Sequence, residues 1–219
     1  MKEESACRST TAFARHLVVM AKLPVAGRVK TRLARGVGVG RAVSFYRAGL
    51  AAALGRVSQA RRWTTYVAVA PDTGIYEPVW PISCRRIAQG RGDLGQRMQR
   101  VMDGLPPGPV VIIGSDVPEI RSEHIASAFK ILASADVVLG PSPDGGYWLV
   151  GLRRRPRIAR IFDRVRWSHA ETLSDTLANA VGLQVCWLEQ LDDVDDADDL
   201  ARLSERAGRR IPSPPNIFS

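Results

Sequence analysis

Apolar runs recur along the chain at 16–20, 64–70, 110–114, 136–139 and 185–188, each short enough for a strand. Between them lie longer stretches of helical character, near 41–57, 94–103, 122–134, 168–181 and 197–207. Ser122 is placed to cap the third helix, and Ser168, with Glu171 three residues on, forms a capping-box pattern before the fourth. A sixth run, 147–151, follows a turn at 144–146 and is expected to be an additional, antiparallel strand. Strands alternating with helices predict an α/β fold: one domain with a mostly parallel mixed sheet and helices on both faces.

Length and composition agree with one core. The 219 residues are 45% apolar, enough for a single domain, expected to span 15–207. Residues 1–14 and 208–219 are polar or proline-rich and are expected to be loosely ordered. Nothing in the N-terminal stretch has the apolar segment of a signal peptide, and no run is long enough for a membrane span. Cys7, Cys84 and Cys186 are odd in number and far apart, which excludes a disulfide framework and predicts a reducing cytoplasm. The net charge of +9 permits nucleic-acid binding, but the arginines are scattered, without a recognition helix, zinc spacing or aromatic ribonucleoprotein motif.

In open α/β sheets, ligands gather outside the carboxyl ends of the strands, and four such segments carry chemistry. The loop MAKLPVAGRVKTRL, residues 20–33, brings Lys22, Arg28, Lys30 and Arg32 together after the first strand. Only four lysines occur in the chain, and two are here. With Gly27 relaxing the backbone so that amides approach an anion, the loop suits polyphosphate; a solvated basic turn is the plainer alternative. Asp116 ends the run VVIIGSD and is the first candidate for a Mg2+ or Mn2+ ligand, since magnesium takes one or two carboxylates and completes its shell with water and phosphate oxygens. Its alternative is a helix cap.

The stretch QGRGDLGQRM, 89–98, offers Gly90, Gly92, Asp93 and Gly95 at the start of a helix, where free amides meet a base or phosphate. In PDGGY, Asp144 with Gly145, Gly146 and Tyr147 could hold an acceptor, although Asp-Gly also marks ordinary hairpins. GVGVGR, 36–41, lacks the dinucleotide-binding spacing and reads as a flexible hinge. Most of the acidic run at 192–200 reads as a charged helix start; Asp195, following the last strand, could bring a second carboxylate to the Asp116 metal. No histidine spacing suits a metal site and no GxSxG elbow is present.

Taken in order, MAKLPVAGRVKTRL, QGRGDLGQRM, GSDVPE, GPSPDGGYWLVGL, WSHAETL and LDDVDDADDL resemble a bacterial family of glycosyltransferase-A-type transferases, the radical-SAM/selenodomain-associated type. That family is similar in fold, which is Rossmann-like, to nucleotide-diphospho-sugar transferases and nucleotidyltransferases. The resemblance implies that Asp116 is the superfamily's metal aspartate and that Asp195 matches the later aspartate of its terminal acidic block. The chain departs from the pattern with a single SD in place of DxD, with Asp196 and Ala197 in place of Thr-Pro, and with His169 where threonine is more usual.

The expected function is metal-dependent transfer from a nucleotide-diphospho-sugar to a small acceptor, with Asp116, Asp144 and Lys30 as catalytic residues. Nucleotidyl transfer from a nucleoside triphosphate to a phosphorylated acceptor, with pyrophosphate release, would use the same cationic loop. A noncatalytic nucleotide- or nucleic-acid-binding module would instead show salt-sensitive oligonucleotide affinity without a metal requirement.

Overall fold

The computed structural model describes residues 13–58, 61–155 and 157–209. Continuous apolar runs along the strands give a sheet covered on both sides. Seven strands, β1 (His16–Lys22), β2 (Thr64–Ala70), β3 (Arg85–Ala88), β4 (Val110–Gly114), β5 (Val137–Pro141), β6 (Tyr147–Leu152) and β7 (Val185–Trp187), lie in the order β3-β2-β1-β4-β6-β5-β7. Every neighbouring pair is parallel except those made by β6, which runs antiparallel to both β4 and β5.

Side chains alternate across the sheet, as a period of two requires. Leu17, Val19 and Ala21 enter one core with Val67, Ile113 and Leu149, while Val18, Ala68, Ile112 and Val150 enter the other. The first is covered by α2 (Val39–Ser58) and α4 (Ser122–Ile131), through Leu50, Leu54, Ile125 and Phe129. The second is covered by α3 (Leu94–Gly104), through Met98, Val101 and Met102, with Leu173 and Leu177 of α5 (Thr172–Ala178) packed at its margin. The helices α1 (Thr31–Val37) and α6 (Ala197–Arg209) meet where Gly36 leaves room for Ala197, so the two ends of the fold converge at the carboxyl rim of the sheet.

The inverted β6 matters for that rim. Because β5 runs parallel to β1 and β4 and β6 returns, their connecting turn emerges on the same rim as the loops after β1 and β4. Glycine is required in this turn at Gly145, whose φ of +82° is left-handed and where a Cβ would strike the backbone of Ala170.

Several sequence expectations need correction. Ser122 is the first helical residue of α4; Arg121 precedes it, and the Arg121 N–H donates to His124 Nδ1. Ser168 does not cap the fourth helix. It has a left-handed φ of +57°, and the chain turns once more, with the Thr172 hydroxyl 2.7 Å from the carbonyl oxygens of Arg166 and His169, before α5 begins at Thr172. Residues 36–41 are not a hinge loop: they are helical on both sides of Gly38, whose φ of +85° ends α1. Three elements escaped the apolar pattern, one of them a single-turn 3-10 helix at Asp72–Tyr76. The short α1 is dominated by basic and small residues, and β3, RRIA, is an exposed edge strand with little to bury.

Residues 1–12 and 210–219 lie outside the described residues, so the expectations for those parts of the termini do too. The Arg155 guanidinium lies over the Phe13 ring, and α6 continues to Arg209. No described helix is long and apolar enough to cross a membrane.

Candidate active site

At the carboxyl end of β1 the chain turns through 23–29, anchored by the buried Val29, and places Lys30 at the start of α1. Lys30 has a left-handed backbone, φ 48° and ψ 46°, unusual for a residue with a long side chain. Its ammonium turns inward. Only 5% of the side chain is exposed, and Nζ lies 3.1 Å from Asp116 Oδ2 and 2.9 Å from Asp195 Oδ1. Burial is the largest single influence on Lys30 and opposes its charge, but the two carboxylates together outweigh it and hold its pKa above the ordinary lysine value.

Asp116 stands just beyond β4 on a loop held from beneath. Arg56 of α2 donates to the carbonyls of Pro118 and Ile120, each at 2.8 Å, and Val117 and Ile120 are buried. Asp195 reaches the same point because the buried Val194 donates its N–H to the Asp116 carbonyl at 3.3 Å. Downstream, Asp196 Oδ1 accepts from the N–H groups of Asp198 and Asp199, and Asp199 Oδ2 accepts from those of Asp195 and Asp196. The acidic run thus divides between helix capping and the site.

Arg32 adds a second cation, 3.4 Å from Asp195 Oδ2. Tyr46 of α2 supports the other side: its hydroxyl accepts from the Lys22 N–H at 2.9 Å and lies 3.2 Å from Ser115 Oγ. Burial pushes the Tyr46 phenol up to about 12, so it stays protonated.

Two cavities meet at Asp116, Asp195 and Arg32. The larger, about 620 Å3, is lined by Lys22, Lys30, Arg32 and Arg97 among others, with Asp93, Asp116 and Asp195 as its carboxylates. Arg97 is aimed by the buried Gln89, whose Oε1 accepts from it at 3.0 Å while Nε2 donates to the carbonyls of Ala21 and Ala68. The smaller cavity, about 470 Å3, is lined by Asp144, Gly146, Tyr147, Trp148, His169 and Asp193 together with the shared residues. The Trp148 ring is held there by its Nε1–H, which donates to the Glu189 carbonyl at 3.1 Å. Burial, then the charges of Asp195 and Asp144, push the Asp193 carboxyl up to about 6.

The sequence candidates therefore separate. Lys22, Lys30, Arg32, Asp93, Asp116, Asp144, Gly146, Tyr147 and Asp195 line one cavity or both. Gly27 and Arg28 sit in the exposed turn before Lys30 and line neither. Gly90, Gly92 and Gly95 also line neither. Gly95 lies under Trp167, where a Cβ would come within 2.6 Å of the ring, and Asp93 Oδ1 caps α3 by accepting from the Gln96 N–H at 2.8 Å. Gln89, at the head of the glycine-rich stretch, and Trp148, beside Tyr147, also line the cavities, whereas the sequence pattern did not distinguish Arg97 or Asp193. Arg97 sits one turn into the helix that follows the glycines, and Asp193 reads in sequence as one more residue of a charged helix start.

Among the described residues no three His, Cys, Asp or Glu side chains gather as a metal cage. Asp116 and Asp195 do converge on one cationic atom, Lys30 Nζ. A pair of carboxylates beside an open, cation-lined cavity fits magnesium or manganese, which keeps several positions for water and phosphate oxygens.

Residues 53–169 match a bacterial family described as "Uncharacterized protein conserved in bacteria (DUF2064)". The chain belongs to the DUF2064 family. The match includes Asp116 and Asp144; Lys30 and Asp195, which the fold brings to Asp116, lie outside it. No curated protein matches the sequence. Among solved structures, this DUF2064 protein is similar to one from Desulfovibrio desulfuricans G20, provisionally described as a nucleotide-diphospho-sugar transferase. The identity is 28% over 90% of this chain and 88% of that one, with a TM-score of 0.81. It shares its fold with 4-diphosphocytidyl-2C-methyl-D-erythritol synthase from Anaerococcus prevotii, at 10% identity and TM-score 0.60 over 90% and 99% of the two chains. The same holds for Rv0371c from Mycobacterium tuberculosis H37Rv, solved with manganese, at 19% identity and TM-score 0.56 over 89% and 100%. The fold is that of the nucleotide-diphospho-sugar transferases.

Proposed function

We propose that this protein is a metal-dependent transferase that takes a nucleotide-diphospho-sugar and passes the sugar to a small acceptor. The observation that carries the reading is the meeting of Lys30, Asp116 and Asp195 at the mouth of a cation-lined cavity. Lys22, Arg32 and Arg97 would receive the phosphates, with Lys30 leaving its carboxylates to pair with them. Asp116 and Asp195 would hold Mg2+ or Mn2+, which supplies charge neutralisation for the departing diphosphate.

In the smaller cavity Asp144 faces the acceptor. The acceptor oxygen forms a bond to the anomeric carbon as the bond from that carbon to the diphosphate oxygen breaks. The diphosphate leaves with the electron pair, and the acceptor proton passes to the Asp144 carboxylate. The six ordered sequence blocks and the likeness to the Desulfovibrio protein support the donor class. The free Cys84 and Cys186 are in keeping with a reducing cytoplasm.

The test is incubation of the purified protein with Mn2+ and a panel of uridine, guanosine, adenosine and thymidine diphosphosugars, following nucleoside diphosphate release. Metal-dependent release from at least one supports the reading. Release of pyrophosphate from a nucleoside triphosphate, with every diphosphosugar inert, replaces it by nucleotidyl transfer.

A further inference from the structure

The two cavities differ in the charge left for a ligand. In the larger, four cations face three carboxylates, and one of these, Asp93, is engaged at the cap of α3. In the smaller, Arg32 is the one lysine or arginine among the described lining residues, and it already lies against Asp195. Asp116 is paired with Lys30. Asp144 and Asp193 have no ion pair with any described residue.

An ionised carboxylate accepts hydrogen bonds and has none to donate. Two of them, without an ion-pair partner in a cavity walled by Tyr147, Trp148 and Trp167, and with Asp144 Oδ1 accepting only from the Gly146 N–H at 2.9 Å among the described side-chain hydrogen bonds, receive hydroxyl and ammonium groups and repel phosphate. Aromatic walls also offer a flat apolar surface to the carbon face of a sugar or similar ring.

We propose that the acceptor is a hydroxylated molecule bearing an amine and no phosphate or carboxylate, of the amino-sugar type, held by Asp144 and Asp193 against the aromatic wall. This rests on the donor reading above, because it assigns the smaller cavity to the acceptor. It separates this reading from nucleotidyl transfer to a phosphorylated acceptor, because such an acceptor meets carboxylates here where it needs cations.

Saturation-transfer NMR on the full chain with Mg2+, with and without uridine or guanosine diphosphate, tests it using pairs that differ only in phosphate. Suitable pairs are glucosamine with glucosamine 6-phosphate, and ethanolamine with phosphoethanolamine. The unphosphorylated member is expected to bind at least tenfold more tightly in each pair. Asp144→Asn and Asp193→Asn, each verified as folded by circular dichroism, are expected to shrink that preference at least threefold. A preference for the phosphorylated members, no preference within either pair, or a preference unmoved in both variants overturns the proposal. Nucleotide binding is read separately from the nucleotide's own signals. Its failure counts against the donor reading, while the acceptor charge is decided by the pairs measured without nucleotide.

Discussion

The cavity on the Lys22 side of Asp116 and the one on the Trp148 side share a wall and differ in charge, and the difference follows from which segments build them. The cationic side is made by the loop after β1 and the first turn of α3, where strands run parallel. The acidic side is made by the β5–β6 turn and the segment after β7, brought to the same rim because β6 is inverted. One reversed strand thus sets an acidic pocket beside a basic one. Lys30 marks the boundary, neutralising the two carboxylates that both cavities share.

Removing a carboxylate held at that boundary should have the largest effect. Asp116→Ala is expected to lower metal-dependent turnover by about 10^2–10^3-fold, the usual scale for loss of one electrostatic stabiliser, as measured by diphosphate release. Wild-type rates in this variant would detach Asp116 from the chemistry. Lys30→Met should weaken nucleoside diphosphate binding about tenfold, or about 1.4 kcal/mol, in calorimetric titration. Because Nζ lies between both carboxylates, the same variant should bind Mn2+ alone more tightly than wild type.

A smaller, crossed pair of effects sharpens the contrast. Arg97→Ala should raise the nucleotide Kd about threefold to tenfold, since Arg97 is a guanidinium of the cationic cavity alone. It should leave the choice between phosphorylated and unphosphorylated acceptors unchanged. Equal disturbance of both measurements would mean that the two cavities act as one.

The smallest effect belongs to the opposite rim, where His16 is buried at the start of β1. Burial, the largest influence, holds its pKa below the ordinary 6.5. As pH falls below 6.5 the unfolded chain takes a proton that the folded chain resists, so His16 contributes a loss of stability on acidification down to its folded pKa. His16→Gln should flatten the urea midpoint between pH 7 and pH 5 without changing nucleotide affinity at neutral pH. An unchanged slope would place the acid sensitivity elsewhere.

Much of the frame was legible in the chain. The runs at 64–70 and 110–114 coincide with β2 and β4, because buried strands need continuous apolar residues. The turn at 144–146 and the strand after it were legible because Asp-Gly-Gly permits few backbones. The edge strand β3 and the short α1 were not, since neither buries enough to leave a pattern. Asp116 stood out as a carboxylate at the end of an apolar run, whereas Asp193 was indistinguishable from its neighbours until the buried Val194 fixed which acids face inward.

By itself, the sequence determined the alternation of strands and helices and the residue types present at the strand ends, because burial and turn chemistry act over a few neighbouring positions. Tertiary structure alone decided that Lys30 sits between Asp116 and Asp195, 86 and 165 positions away along the chain. It likewise decided that Gln89 aims Arg97 and that the rim divides into a basic and an acidic cavity. Those relations depend on strand order and on the inversion of β6, and the electrostatics of a site is set by distance through space, which local patterning does not encode.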